Sequence, residues 1–377
     1  MAKIIAFPKN SCCTHQASKH PGINRALLDG ALPVIQPEPE HAKRIQPIWK
    51  SRMHGILMSV VLPARGRPGL LNRCLAALMR QTLSPMRYEI IVVDTAPSST
   101  SRKVVEHYLT RPGNGPCIIY LPVESRDSPG TARNHGWHIA RGTLVAFTEE
   151  DMIPCRDWLA QGLQAFDGVA QAARGRVIMP TAGLPTSNED TLMKLEQAEF
   201  ASVNCFFLKR VLEDLGGFDE RFGAAGREDA DLYFRLLQAE AVIADAPLAV
   251  VEHPVGSVPW GASLWEQKNL QFDALLRKKH PHLYREKIAA PLPWHYHISV
   301  AALLFLIAAM LTHNLPVAMF AAFCWGMTSA YIFLQRLRGT AKSLFNISDV
   351  LVTSLLLPPL AVFWRIVGAL RFRVGFI

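Results

Sequence analysis

The chain has 377 residues, enough for one large domain or two ordinary ones with a real core, and half of these residues are hydrophobic. Mean hydropathy is +0.13, and the apolar excess is concentrated in the C-terminal segments beyond residue 293. The net charge of +9 is scattered and gathers beside those segments, not in one stripe interleaved with aromatics; this argues against nucleic acid as a partner and for an anionic membrane face or a phosphate-bearing substrate.

Seven cysteines, with no CxxC pair and no zinc-like spacing, suit reduced thiols of a cytoplasmic body. No signal peptide is expected, because the brief apolar start meets Pro8 and polar residues. Residues 1–54 contain Pro8, Pro21, Pro33, Pro37, Pro39 and Pro47 and no sustained periodicity, which predicts a flexible or loosely docked extension. An amphipathic arm on a membrane is the second reading of this stretch. Cys12 and Cys13, adjacent in it, are conceivable lipidation sites.

Order is expected from Gly55. Ile56 to Pro63 reads as a buried strand, followed by the small basic turn Ala64-Arg65-Gly66-Arg67. Pro68 opens a helix with Leu71, Cys74, Leu75 and Leu78 at helical spacing. Tyr88 to Val93 is a second strand and ends in Asp94; a helix near Ser101 to Leu109 and a strand at Cys117 to Leu121 follow. This β, α, β, α, β order predicts an open, mostly parallel Rossmann-like α/β sheet with helices on both faces. Ligands of such sheets sit outside the carboxyl ends of the strands.

Gly130 to Gly136 opens the next helix. Its small residues and Arg133 could hold phosphate oxygens, or Arg133 and Asn134 could tie down a loop. Thr143 to Thr148 is then an apolar strand that breaks into Glu149, Glu150 and Asp151, stopped by Met-Ile-Pro. Clustered carboxylates without interleaved lysines repel unless a cation or solvent offsets them, and hard oxygen ligands suit Mg²⁺ or Mn²⁺. An acidic turn in water is the bland alternative.

Further on, Trp158 to Phe166 reads as helix, Arg174 to Pro180 as strand, Glu189 to Ala201 as helix and Val203 to Leu208 as an apolar run. Gly216-Gly217 and Gly223 to Gly226 form a glycine-rich lead-in to a helix that begins near Glu228 and Asp229. Carboxylates in a first turn are favoured by the helix dipole whatever their chemistry. Ala246 to Val251 is a last strand, ending at Glu252-His253-Pro254, where His253 is either structural or a metal ligand.

With these pieces in order, the region from about Ser59 to His253 resembles the catalytic domain of glycosyltransferase family 2, which has the A-type glycosyltransferase fold. The match is carried by SVVLPARGR, YEIIVVD, GTARNHGWHIARGTLVAFTEEDMIP, GGFDERF and GREDADLYFRL, then the strand ending EHP. The resemblance implies a nucleotide-sugar donor, a divalent metal (Mg²⁺ or Mn²⁺) and inversion at the anomeric carbon. It places Pro63, Ala64, Arg65 and Asp94 at the nucleotide. Glu149, Glu150 and Asp151 fall on the Asp-x-Asp motif, with Asp151 the direct metal ligand and Glu149 a departure from Asp. It also implies Asp229 as base beside Glu228, and His253 near the metal or diphosphate; Arg133 and Asn134, in the small-residue turn before this strand, are expected as donor-binding residues. The Gln-x-x-Arg-Trp motif of processive relatives does not follow the base, so a single sugar is expected to be transferred. A nucleotidyltransferase and a degenerate scaffold of a polysaccharide assembly complex are the competing readings.

Catalytic residues 55–256 are expected to pass through an interfacial connection, 257–293, into a membrane domain, 294–377. Two apolar segments, about 294–312 and 316–334, approach the roughly 20 residues needed to cross a bilayer. The link between them has no lysine or arginine, while Arg285, Lys287, Arg336, Arg338 and Lys342 flank the pair, which predicts a hairpin with cytoplasmic ends. In the third segment, about 348–370, Pro358-Pro359 interrupts and Arg365 would cost ~3 kcal/mol at a helix centre. A re-entrant or interfacial helical pair is therefore expected over a full span. Together these features predict a multi-pass protein of the cytoplasmic membrane, acting on a lipid or lipid-linked acceptor in envelope or exopolysaccharide assembly.

Overall fold

A computed structural model describes residues 55–110, 115–123, 128–180, 183–193, 200, 202–223, 227–254, 258–288 and 293–375. The predicted extension, with Cys12 and Cys13, and residues 224–226 of the glycine-rich lead-in lie outside the described residues.

The first half alternates strand and helix. β1 (Met58–Ala64), α1 (Pro68–Leu78), β2 (Tyr88–Asp94), α2 (Ser99–Leu109), β3 (Cys117–Pro122), α3 (Pro129–Ile139) and β4 (Leu144–Phe147) follow one another. Parity along the strands sorts their side chains to two faces. Val60, Leu62, Ile90 and Val92 pack with Leu71, Leu75 and Leu78 of α1 and Val105 of α2. Val61, Ile91 and Val93 pack with Ala132 and Trp137 of α3 on the other face. Full burial of each such aliphatic side chain stabilises by ~1.5–3 kcal/mol. α3 lies so close to the sheet that a Cβ at Gly136 would collide with Val61.

β5 (Ile153–Pro154), α4 (Trp158–Gln164), β6 (Ala172–Ile178), α5 (Ser187–Met193), β7 (Cys205–Leu208), α6 (Lys209–Leu215), α7 (Arg227–Gln238) and β8 (Ile243–Glu252) complete the sheet. The strand order is β3-β2-β1-β4-β7-β6-β8-β5. β3, β2, β1 and β4 are mutually parallel, and β6 pairs parallel with β8; β7 runs antiparallel to β4 and β6, and β5 antiparallel to β8. From β1 the chain first builds outward to β3 and then returns to β4, so the order reverses between β1 and β4. The crevice outside their carboxyl ends is where an open α/β sheet binds its ligand.

Beyond β8 come α8 (Ala262–Glu266), a short 3₁₀ turn, α9 (Gln271–Lys279) and α10 (Pro281–Lys287); α9 and α10 form a separate apolar cluster with α7 and the residues before it through Phe222, Phe234, Phe272, Leu276 and Tyr284. α11 (Trp294–Leu311) and α12 (Leu315–Leu337) form a tight hairpin in which the Asn314 side chain accepts from the Val317 N–H. α13 (Leu344–Phe372) is one continuous 29-residue helix with Pro358 and Pro359 inside it, not the interrupted pair expected from the sequence. The flanking packing holds it together there, since Leu357 and Ala361 are buried on either side of the prolines. Among the described residues, α11, α12 and α13 are long and apolar enough to cross a membrane.

Candidate active site

At the carboxyl end of β1, Pro63 and Ala64 are buried and Arg65 is exposed. Gly66, at φ 76°, lets the chain turn back over the sheet edge. The Arg65 N–H donates to Glu150 Oε1 at 3.0 Å, joining the ends of β1 and β4. Arg67, which sequence reasoning passed over, donates to Glu150 Oε1 at 2.7 Å and to Asp151 Oδ2 at 3.1 Å. The RGR turn was its only sequence signal. Glu150 is therefore a buried brace of the acidic turn, while burial raises its pKa against the pull of Arg67.

Asp94, fully buried at the end of β2, accepts from the Tyr120 hydroxyl at 2.8 Å and from the Ala96 N–H at 3.0 Å. Burial and this bond push the Tyr120 phenol well above its ordinary pKa. The Thr95 N–H donates to the Ala64 carbonyl, so the ends of β1 and β2 are fixed to each other.

Arg133 joins the two acidic motifs. It is buried on α3, donates to Glu149 Oε1 at 2.5 Å and to Glu228 Oε1 at 3.3 Å, and stands 3.7 Å from Asp229 Oδ1. Its ring-facing side lies over Phe218, 5.3 Å from the centroid. Burial opposes its charge, but Asp229, Glu149 and Glu228 outweigh burial and hold the guanidinium above its usual pKa. One cation thus faces three carboxylates. Burial, then repulsion from Asp229, pushes the Glu228 carboxyl up to about 8 against Arg133, and burial likewise raises Glu149. Asp229 Oδ2 accepts from the Ser202 N–H at 3.1 Å, whereas its Oδ1 and Glu228 Oε2 have no hydrogen-bond partner among the described residues.

Asn134 clamps a loop. Its amide donates to the Phe218 carbonyl and to Glu220, and its Oδ1 accepts from the Phe218 N–H and the Trp137 indole. Gly217, at φ 67°, is required there, because a Cβ would lie 2.5 Å from Asn134 Oδ1.

His253 follows β8, with Nε2 3.9 Å from Asp151 Oδ2. His253 Nδ1 and Asp151 Oδ1 have no hydrogen-bond partner, and no group of three or more metal-ligating side chains occurs among the described residues. The Asp151 carboxylate is the kind of oxygen donor that holds Mg²⁺ or Mn²⁺ together with water and substrate phosphate, and the His253 imidazole beside it is a softer donor. Glu149 is turned to Arg133 and is not part of that pair.

An open α/β sheet, with an acidic strand end at its switch point and a carboxylate pair delivered by a neighbouring helix, has the architecture of an A-type glycosyltransferase fold. The family described as Glycosyl transferase family 2 matches residues 59–231. It is 25% identical over 179 residues to glycosyltransferase AglE of Haloferax volcanii, covering 45% of this chain and 58% of the relative. It is 33% identical over 138 residues to validoxylamine A glucosyltransferase of Streptomyces hygroscopicus subsp. limoneus, covering 36% and 29%. Among solved structures, the mannosyltransferase PcManGT from Pyrobaculum calidifontis, in complex with GDP-Man and Mn²⁺, is similar over 85% of this chain and 88% of its own, with a TM-score of 0.49 and 16% identity.

Proposed function

We propose that this protein transfers one sugar, with inversion, from a nucleotide-sugar donor to a lipid or lipid-linked acceptor at the cytoplasmic face of a membrane. The observation that carries the reading is the convergence of Asp229, Glu228 and Glu149 on Arg133 beside the β1–β4 crevice. The nucleotide is assigned to Pro63, Ala64, Arg65 and Asp94, and the diphosphate to the Asp151 side of the acidic turn. Asp151 and His253 are the residues that would hold Mg²⁺ or Mn²⁺. The bound cation supplies Lewis-acid stabilisation of the diphosphate leaving group, an effect worth several kcal/mol.

Asp229 is the base. Its Oδ2 is fixed by the Ser202 N–H, which leaves Oδ1 free to take the acceptor hydroxyl proton as that oxygen attacks the anomeric carbon. Glu228, kept protonated by burial, lowers the negative charge around Arg133 without competing for that proton. Arg133 is in turn committed to carboxylates, so its role is to set the position and charge of the acidic groups, and Asn134 holds the loop that carries Phe218.

The way the C-terminal helices are tied supports the membrane placement. The α11–α12 hairpin has basic residues at its outer ends only and crosses the bilayer. α13, in contrast, is anchored near both ends, to the catalytic domain and the start of the connection at one and to α9 at the other. Asn346 accepts from the Ser187 N–H and Asp349 from the Gly261 N–H and Asn188, while Arg371 donates to Gln271 and Arg365 lies 3.9 Å from Asp273. A helix of 29 residues is roughly 44 Å long, and spanning a ~30 Å core would put its two ends on opposite sides. α13 therefore lies in the membrane surface, with Leu356, Phe363, Ile366 and Leu370 exposed to lipid.

The test is release of free nucleotide from a panel of labelled nucleotide sugars in membranes containing the full chain, with and without EDTA. EDTA-sensitive release from one donor is expected, and no release from any donor would refute the assignment. Asp151→Ala is expected to weaken Mn²⁺-dependent donor binding in calorimetry.

A further inference from the structure

At the C-terminal end of α13 a cleft of about 380 Å³ opens towards α9, lined by Arg221, Lys278, Lys279, Arg371 and Arg373 around Phe372. Two of the five cations are answered by protein. Asp219 accepts from both Arg221 and Lys279 at 2.6 Å, and Lys279 also pairs with buried Asp231. The other three make no ion pair with a carboxylate among the described residues. Lys278 donates to the Phe372 carbonyl at 2.9 Å, and Arg371 donates to Gln271 while lying over the rings of Phe272 and Phe372, 5.7 and 5.2 Å from their centroids. Arg373, exposed, closes α13 in the left-handed region at φ 53°.

Cations at a helix C-terminus are favoured by the dipole, and this holds for Lys278 on α9 as for Arg371 and Arg373 on α13. The dipole does not dictate that the ends of these two helices bring the three cations to one cleft, beside a face of exposed Phe363, Ile366 and Leu370. The Arg371 guanidinium, stacked on two aromatic rings, is pre-organised to grip phosphate oxygens with two donors, and Arg373 is exposed beside it. At the end of a helix lying in the bilayer surface, they stand at the depth of lipid headgroups.

We propose that this cleft binds the phosphate of a membrane lipid, through Arg371, Arg373 and Lys278, with the lipid chains continuing along the apolar face of α13. The proposal rests on the placement of α13 given above. It links lipid binding to catalysis through Lys279, which holds Asp231 on the same helix, α7, that carries Asp229.

Thermal unfolding of the detergent-purified full chain tests the site without donor, acceptor or turnover. Titrations use dihexanoyl phosphatidylglycerol, farnesyl phosphate, dihexanoyl phosphatidylcholine and inorganic phosphate. A saturable rise in midpoint is expected with the first two and not with the last two. Preference for phosphatidylglycerol assigns the site to bulk phospholipid, and preference for farnesyl phosphate assigns it to an isoprenoid carrier. Arg371→Gln with Arg373→Gln should weaken the response on the order of tenfold, with Arg373→Gln alone giving part of that loss and Lys342→Gln none. An equal response to inorganic phosphate or phosphatidylcholine, or full affinity in the double variant, overturns the proposal. Because nucleotide release is measured separately, loss of the lipid response with intact release sinks only the cleft, and the converse sinks only the transferase reading.

Discussion

Helix α7 carries two buried acidic groups with opposite charge balance. At Glu228 and Asp229, three carboxylates including Glu149 share the single guanidinium of Arg133. At Asp231, two residues on, one carboxylate is served by Arg235 at 2.9 Å, Lys279 at 2.5 Å and His280 at 2.9 Å. The Asp231 carboxyl is held below its ordinary pKa, since burial is outweighed by the bonds from His280 and Lys279 and the charge of Arg235, whereas Glu228 is pushed up. The saturated cluster is a clamp that fastens α9 and the residues before α10 to the catalytic domain. The unsaturated one has spare oxygens and excess negative charge, which is the state of a site that still has a proton, a cation or a substrate to bind.

Substitutions can break that contrast. The largest expected effect is on turnover: Asp229→Asn removes the free Oδ1 base and should lower the rate by ~10² to 10⁴ with donor affinity retained. Steady-state kinetics beside donor calorimetry measures both, and full activity in the variant would end the assignment. Next, Arg133→Met leaves its buried carboxylates unanswered and should cost ~3–5 kcal/mol in chemical unfolding. Asp231→Asn, losing charge-assisted bonds at the clamp, should cost less, ~1.5–3 kcal/mol, while the rate constant of the chemical step stays near that of the parent.

The finest test is the sign of the pH dependence. Glu228 has a folded pKa above its unfolded value, so its contribution to stability is full below the ordinary carboxylate pKa of 4.5 and is lost as pH rises to about 8. Asp231 has a depressed pKa, so its contribution is present above the ordinary value of 3.8 and is lost as pH falls below it. Glu228→Gln should flatten the decline between pH 4.5 and 8, and Asp231→Asn should reduce the loss in acid. Unfolding midpoints across pH measure both, and an unchanged slope for Glu228→Gln would show that its carboxyl is ionised in the fold.

Much of the site was legible because strand ends carry their own punctuation. β2 stops at Asp94, β4 stops at the acidic triplet and β8 leads into His253, and in an open parallel sheet such ends share one edge. Arg133 was legible as a residue but not as a hub. Its partner Glu228 lies 95 positions away and meets it only because α3 and α7 pack on the same face of the sheet. The loop bonds of Asn134 were hidden for the same reason, since Phe218 and Glu220 come to it through tertiary packing.

The sequence by itself determined most of the element types, the acidic motifs, the resemblance to glycosyltransferase family 2 and the apolar character of the three C-terminal segments, because periodicity, turn residues and composition are local properties. Only the tertiary structure decided which charges are paired, and whether α13 breaks at its prolines or runs on. It alone tied that helix near both ends, to the catalytic domain at one and to α9 at the other. Those outcomes depend on side chains far apart in the chain being buried together, where a single cation or carboxylate changes the balance that desolvation sets.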